Sequence, residues 1–360
     1  MKNIYFTVGP TQLYTKVPVL LKKAIKEEVM SKSHRGEWFQ ALFSDLTSGL
    51  RKLLKIPISH HIFFVSSGTE CMERIIENTV AKYSLHFVNG AFSKRFYKTA
   101  KDLGKSPQNI EVPLGKSFDF NKIKIPKNSE LICLTHNETS TGVMLSLHEV
   151  YKLKRKYPEK LIALDVVSSI PYVDVDYDLV DMVFFSVQKG FGLPAGLGVM
   201  IVSPEAFKKS SLLKTKAVVT GSYHSFADLS KYESRKETPE TPNVLDMFLL
   251  CNVIKDMQKI GIKKIRKLID NRSKLLEKTV ESSQFSYLVK DGRFRSKTIH
   301  VFRDKKDNSQ LMQFLEKKHL IVSRGYGELK ESFIRLGNFP AHSDSQFRSL
   351  ISALNEYLKR

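Results

Sequence analysis

Short apolar runs at 62–65, 85–88, 131–135, 161–165, 182–186 and 197–202 alternate with stretches whose apolar residues recur at helical spacing. The runs are continuous rather than alternating. That pattern predicts strands buried on both faces, in a mainly parallel sheet covered by helices. The first run leads through Ser66-Ser67-Gly68-Thr69 into a helix expected over about 70–82. The second leads through Asn89-Gly90 into a helix that stops near Gly104, a C-terminal glycine signal. Beyond the sixth run the chain changes character. One long helical stretch is expected over 244–282, then strand-like runs at 298–302, 321–323 and 333–336 with two helices among them. The last helix opens on a capping box, Ser343-Asp344-Ser345-Gln346. The expected fold class is α/β. Its expected parts are an N-terminal segment (1–15), a large domain with a mainly parallel central sheet (16–245), and a connecting helix with a small C-terminal α/β domain (246–360).

Composition narrows the classes. The chain has 360 residues, 42% hydrophobic and 26% charged, which is enough to bury a core and excludes a disordered chain. No apolar run approaches the roughly 18 residues of a membrane span, so no membrane association is expected. The N-terminus lacks the apolar region of a secretory signal, and Cys71, Cys133 and Cys251 are odd in number and far apart. Free thiols in a reducing, cytoplasmic compartment are expected. The net charge of +21 is spread along helix-forming segments without aromatic interleaving. It reads as a lysine-rich surface that attracts small anions, with no nucleic-acid partner.

Several catalytic signatures fail. Gly190, Gly192 and Gly196 mimic a dinucleotide fingerprint but lie between two strands, where that motif needs a strand and a helix. GxxxxGK[ST], GxSxG and HExxH are absent, and His60-His61 has no partners at ligand spacing, so no metal is expected.

One arrangement succeeds. An apolar strand ends at Asp165, a second ends at Ser186, and Lys189 follows three residues on. A carboxylate and a lysine at the ends of two sheet strands would both face the crevice where α/β sheets bind ligands. Pyridoxal phosphate needs such a pair: a lysine to condense with its aldehyde and an acid to partner its pyridinium nitrogen. A salt bridge at the sheet rim fits these two residues equally well. Ser66-Ser67-Gly68-Thr69 stands at a strand-to-helix junction suited to a phosphate, or to an ordinary helix cap. Phe92 could stack on a flat ring or simply pack in the core. The polar cluster Thr135-His136-Asn137-Glu138-Thr139-Ser140 follows a buried strand directly.

Taken with Gly9-Pro10-Thr11, Ser33-His34-Arg35, Thr238-Pro239-Glu240-Thr241-Pro242 and Arg335, in that chain order, these residues resemble the class V aminotransferases of the fold-type I pyridoxal-phosphate superfamily. The resemblance covers nearly the whole chain. Within the class, Ser33-His34-Arg35-Gly36 with Phe39 and the Thr-Pro pair look most like the phosphoserine aminotransferases. Alanine–glyoxylate and serine–glyoxylate aminotransferases are close relatives. The resemblance implies that Lys189 carries the cofactor and moves the proton during transfer, and that Asp165 keeps the pyridine nitrogen protonated. Phe92 would stack on the ring and Thr139 bond its hydroxyl. Gly68, Thr69 and Gln188 would hold the phosphate, with Thr238 reaching in from the partner subunit of a homodimer with shared active sites. Arg335 would clamp the substrate carboxylate, while His34 and Arg35 take a substrate phosphate. The implied substrates are an amino acid and a 2-oxo acid, phosphoserine with 2-oxoglutarate in serine biosynthesis.

Two positions depart from the family pattern. Glu70 follows Thr69 where an arginine is common, and Glu237-Thr238-Pro239-Glu240 replaces a typical Asn-Thr-Pro-Pro. A different chemistry on the same scaffold is also weighed. A desulfurase would need a cysteine in a flexible loop, whereas Cys251 lies among Leu249, Leu250 and Val253 in a helical stretch. A lyase is told apart by its products with and without an added 2-oxo acid.

Overall fold

Alternate side chains of each central strand enter two different cores. Ile62 and Phe64 point to one face and Phe63 and Val65 to the other; Val183 and Phe185 oppose Met182 and Phe184 in the same way. Both faces are apolar because helices cover both, which is why the runs are unbroken in sequence. The computed structural model describes residues 2–360. It joins seven strands in one sheet: β1 (His61–Val65), β2 (Ser84–Val88), β3 (Gln108–Glu111), β4 (Leu131–Thr135), β5 (Leu161–Asp165), β6 (Met182–Ser186) and β7 (Gly198–Val202). Their spatial order is β1-β7-β6-β5-β4-β2-β3. β7 runs against both neighbours and every other pairing is parallel. The C-terminal ends of β1, β2, β4, β5 and β6 therefore share one edge. β3 escaped the sequence reading because it is an edge strand with polar, mostly exposed residues.

The helices that matter most here are α1 (Glu37–Leu54), α2 (Gly68–Thr79), α3 (Ala91–Asp102), α4 (Val244–Ile260) and α5 (Ile262–Glu281). α2 starts two residues earlier than expected because Ser67 is its cap: Ser67 Oγ accepts the Glu70 N–H at 3.1 Å. The single helix expected over 244–282 is two, broken at Gly261 with φ +89°. α4 buries Met247, Leu250 and Ile254 in the large core, and Cys251 lies there too, 3% exposed. α5 changes allegiance along its length, from that core at Ile265 and Ile269 to a C-terminal core at Leu276 and Val280.

The C-terminal core packs on a four-stranded antiparallel sheet containing Ile299–Asp304 and Ile334–Gly337. The run expected at 321–323 is two short strands, Leu320–Ile321 and Ser323–Arg324. The first pairs with Ile4–Tyr5, and Phe6 enters the C-terminal core. The N-terminal segment is thus stitched to the far end of the chain. The capping box at Ser343 and Gln346 forms as expected. Among the described residues no helix is long and apolar enough to cross a membrane, and no cluster of side chains could hold a metal.

Candidate active site

The shared sheet edge gathers the predicted residues. Thr135 ends β4, Asp165 ends β5 and Ser186 ends β6, while Gly68 follows β1 and Phe92 follows β2. A cavity there is lined by Gly68, Thr69, Phe92, Thr139, Asp165, Gln188, Lys189 and Arg335. Lys189 is buried, its Nζ donates to Thr139 Oγ1 at 2.8 Å, and the Phe92 ring centroid lies 5.2 Å away. Burial pushes the Lys189 pKa down, against the opposing pull of Asp165. Asp165 accepts the Val167 N–H at 2.8 Å on Oδ1, and burial pushes its pKa up. The chain at Gly9 crosses the lysine stem, with φ +148°.

Arg335 is buried without an acidic partner among the described residues. Its Nε donates to the Arg324 carbonyl at 2.9 Å, and its guanidinium lies 5.2 Å from the Tyr326 ring centroid. Burial lowers its pKa to about 10. A buried guanidinium that faces a cavity and has no ion pair of its own among the described residues is a receptor for an anion.

The turn before α2 differs in detail from expectation. Gly68 N–H donates to Ser186 Oγ at 2.7 Å, so that amide is already engaged. Thr69 N–H has no partner among the described residues and stands at the helix N-terminus, where an anion is favoured. A side chain at Gly68 could not fit: its Cβ would meet Ser186 Oγ at 2.7 Å and Val167 Cγ2 at 2.9 Å. Three buried polar atoms at the cavity, Thr135 Oγ1, Asn137 Oδ1 and Gln188 Oε1, have no hydrogen-bond partner among the described residues. Such orphans are uncommon in folded proteins and define a cavity made for a polar ligand. An unengaged amide at a helix start, a flat aromatic wall, a buried lysine and a buried acid together fit pyridoxal phosphate.

Most of the 135–140 polar cluster has a structural task instead. Glu138, wholly buried, accepts from the Phe92, Ser93 and Ser140 amides and both serine hydroxyls, capping α3. Asn137 Nδ2 bonds Ser168 and Thr298, across to the C-terminal part of the chain.

His34, Arg35 and Thr238 do not line this cavity. Arg35 Nη1 pairs with Glu237 at 2.7 Å and donates to the Thr238 carbonyl at 2.7 Å, while Nη2 reaches the Pro239 carbonyl. The carboxylate that holds Arg35 is Glu237, 202 residues away in the chain. Thr238 Oγ1 donates to the Glu240 carbonyl at 2.8 Å. These residues form a second cluster outside the chain's own cavity, where the turn at 33–36 meets the irregular, proline-containing segment at 237–243. Sequence reasoning missed Gly9 as the neighbour of Lys189, Ser186 as a partner of Gly68, and Tyr326, whose ring centroid lies 5.3 Å from that of Phe92. The glycines flanking Tyr326 were the only signal.

Comparison with known proteins places this geometry in a class. The Aminotransferase class-V family matches residues 6–329. A phosphoserine aminotransferase of Rhodococcus opacus is 27% identical over 97% of this chain and 92% of its own length. The crystal structure of a phosphoserine aminotransferase from Cytophaga hutchinsonii is 41% identical, covers 98% of both chains and superposes with a TM-score of 0.97. An alanine–glyoxylate aminotransferase from Nostoc, 24% identical over all of this chain and 96% of its own, shares the fold with a TM-score of 0.83. The chain belongs to the class V aminotransferase family. It is a pyridoxal-phosphate-dependent aminotransferase with the fold-type I architecture.

Proposed function

We propose that this enzyme exchanges the amino group of phosphoserine with 2-oxoglutarate, giving 3-phosphohydroxypyruvate and glutamate in cytoplasmic serine biosynthesis. The observation that carries the reading is the 41% likeness, over 98% of both chains, to the Cytophaga phosphoserine aminotransferase. The two separate arginines support it, since the substrate presents two anions: Arg335 for the carboxylate and Arg35 with His34 for the phosphate. The second cluster lies outside its own chain's cavity, so a homodimer would deliver it, with Thr238, to the partner's site.

Pyridoxal phosphate supplies an aldehyde that condenses with primary amines and a ring that accepts electrons when a Cα–H bond breaks. Lys189 is the amine that holds it, because burial raises the neutral fraction of Nζ and Thr139 Oγ1 fixes its direction. Asp165, with one oxygen bound to Val167 N–H, keeps the other for the ring N–H. Thr69 N–H, the first turn of α2 and Gln188 take the phosphate. The Phe92 ring excludes water from one face of the cavity. Arg335 grips the carboxylate with two parallel N–H donors. Displaced from the cofactor by the substrate amine, Lys189 Nζ would be the base that takes the proton from the substrate Cα and returns it.

Reductive trapping followed by peptide mapping should place the cofactor on Lys189, and Lys189→Ala should abolish turnover. A half-reaction screen then tests the substrate. Phosphoserine should convert the bound cofactor fastest, and Arg35→Ala should lower its kcat/KM by roughly 30- to 5,000-fold. Preference for alanine or serine with glyoxylate, unchanged in Arg35→Ala, would overturn the assignment.

A further inference from the structure

His224 joins two segments far apart in sequence. Its Nδ1 lies 2.5 Å from Glu70 Oε1, in the first turn of α2, and its Nε2 lies 2.8 Å from Glu240 Oε2, beyond Thr238. Both partners are carboxylates and only accept. A neutral imidazole offers one N–H, so both contacts are satisfied only by the doubly protonated ring. The ring is buried, 4% exposed.

The contacts extend at both ends. Glu70 Oε2 accepts from Ser66 N and Ser66 Oγ at 2.8 and 2.5 Å, and these two residues bracket Ser67, Gly68 and Thr69. The Glu240 carbonyl accepts from Thr238 Oγ1 at 2.8 Å. Neither Glu70 nor Glu240 has a lysine or arginine partner among the described residues. Among the other charged groups nearby, His34 feels the charges of Glu237 and Glu240 without pairing with either, and the rest are engaged. Arg74 and Glu77 of α2 pair at 2.9 Å beside Gly221, and Asp228 is bound by Ser225. The Tyr223 ring centroid lies 4.1 Å from that of His224.

We propose that His224 is a positioning residue for the cofactor-phosphate cradle: charged, it ties the 66–70 turn to the Thr238 segment and neutralises carboxylate charge beside the incoming anion. The inference rests on reading that turn as the phosphate site. Burial draws the His224 pKa down, but the bonds to Glu240 and Glu70 outweigh it and lift the value to about 9. The two departures from the family pattern, Glu70 and Glu240, thus become one unit. Each acid stands where the other, through His224, can be balanced.

Nitrogen-15 NMR of histidine-labelled, cofactor-free protein at pH 7.5 should show both His224 ring nitrogens protonated, with the signal assigned by its loss in His224→Gln. Titration with pyridoxal phosphate should give a Kd raised roughly tenfold in His224→Gln, for one lost charge-assisted bond. Glu240→Gln, which keeps the Glu70 contact, should give a smaller rise of roughly threefold and covers the case in which His224→Gln does not fold. Relative to His224→Gln, wild-type affinity should fall as pH rises from 8 to 10, because the His224 charge is lost there while Lys189 and Arg335 titrate alike in both proteins. A neutral His224 at pH 7.5, or wild-type affinity in the variants, overturns the inference. Failure of the trapped cofactor to map to Lys189 is a different result: it removes the cofactor-site reading and this inference with it.

Discussion

A Cβ on Gly9 would lie 2.7 Å from Cε of Lys189, so the glycine and the buried lysine compete for one space. The backbone there, at φ +148°, also disfavours any side chain. Gly9→Ala should destabilise the protein by about 1–3 kcal/mol. It should also push Lys189 away from Thr139, lowering kcat roughly 10- to 100-fold, as small misplacements of reacting groups do. Urea unfolding and steady-state kinetics measure the two effects. Wild-type kcat in this variant would mean that Gly9 does not confine the lysine.

Arg335 illustrates a conflict between stability and binding. It is a buried cation with no ion-pair partner among the described residues, eased only through space by Glu138. Arg335→Met should leave the unliganded protein at least as stable as wild type, because apolar replacements of buried charges are often neutral or stabilising. The same change should cut kcat/KM for every amino acid by roughly 30- to 5,000-fold, since each presents a carboxylate. A large stability loss would assign Arg335 to structure rather than to substrate.

Mixed subunits test the second cluster. Lys189→Ala is expected to be inactive with phosphoserine and Arg35→Ala to keep only a small residue of activity. If Arg35 serves the partner's cavity, a mixed dimer of the two contains one site with both native residues. Random reassembly in equal amounts should then recover roughly a quarter of wild-type activity. No recovery would mean that Arg35 acts within its own chain.

The pH dependence of stability follows from His224 and Glu70. The folded pKa of His224 is raised from 6.5 to about 9, so its contribution is complete below about pH 6.5 and is lost as pH rises through 9. Glu70 is the reverse. Burial raises its pKa, yet bonds from His224 and Ser66 bring it from 4.5 to about 2. Its contribution is complete above about pH 4.5 and fades toward pH 2. Lys189, lowered by burial, favours the folded state as pH rises and is common to wild type and variant. Denaturant titrations from pH 7 to 10 should therefore show wild type losing more stability than His224→Gln. Parallel curves would mean that His224 carries no proton to lose.

The sheet and most of the cavity were legible because their residues are ordered by local rules. Continuous apolar runs mark doubly covered strands, and Asp165 and Lys189 follow directly from strand ends. The break at Gly261 was hidden because apolar residues recur at helical spacing on both sides of it, Ile254 and Met257 before and Ile262, Ile265 and Ile269 after. The role of Glu138 was illegible for another reason: the amides it caps lie some 45 residues earlier in the chain. Local sequence offers a buried carboxylate and a ligand equally. Likewise, nothing between residues 33 and 35 announces Glu237 as the partner of Arg35, a contact fixed by tertiary folding alone.

The reversed strand β7 has a further consequence. Among the described residues β1 pairs with no other strand, so the 66–70 turn hangs on a strand whose one neighbour there is made long after it. Closing that gap is the largest loop closure in the central sheet, and such non-local pairings form slowly. As the chain leaves the ribosome, β4, β5 and β6 can align while β1 waits. Pulsed hydrogen exchange during refolding should therefore find the amides of His61–Val65 among the last of the sheet to become protected, and the phosphate cradle among the last parts of the molecule to take shape.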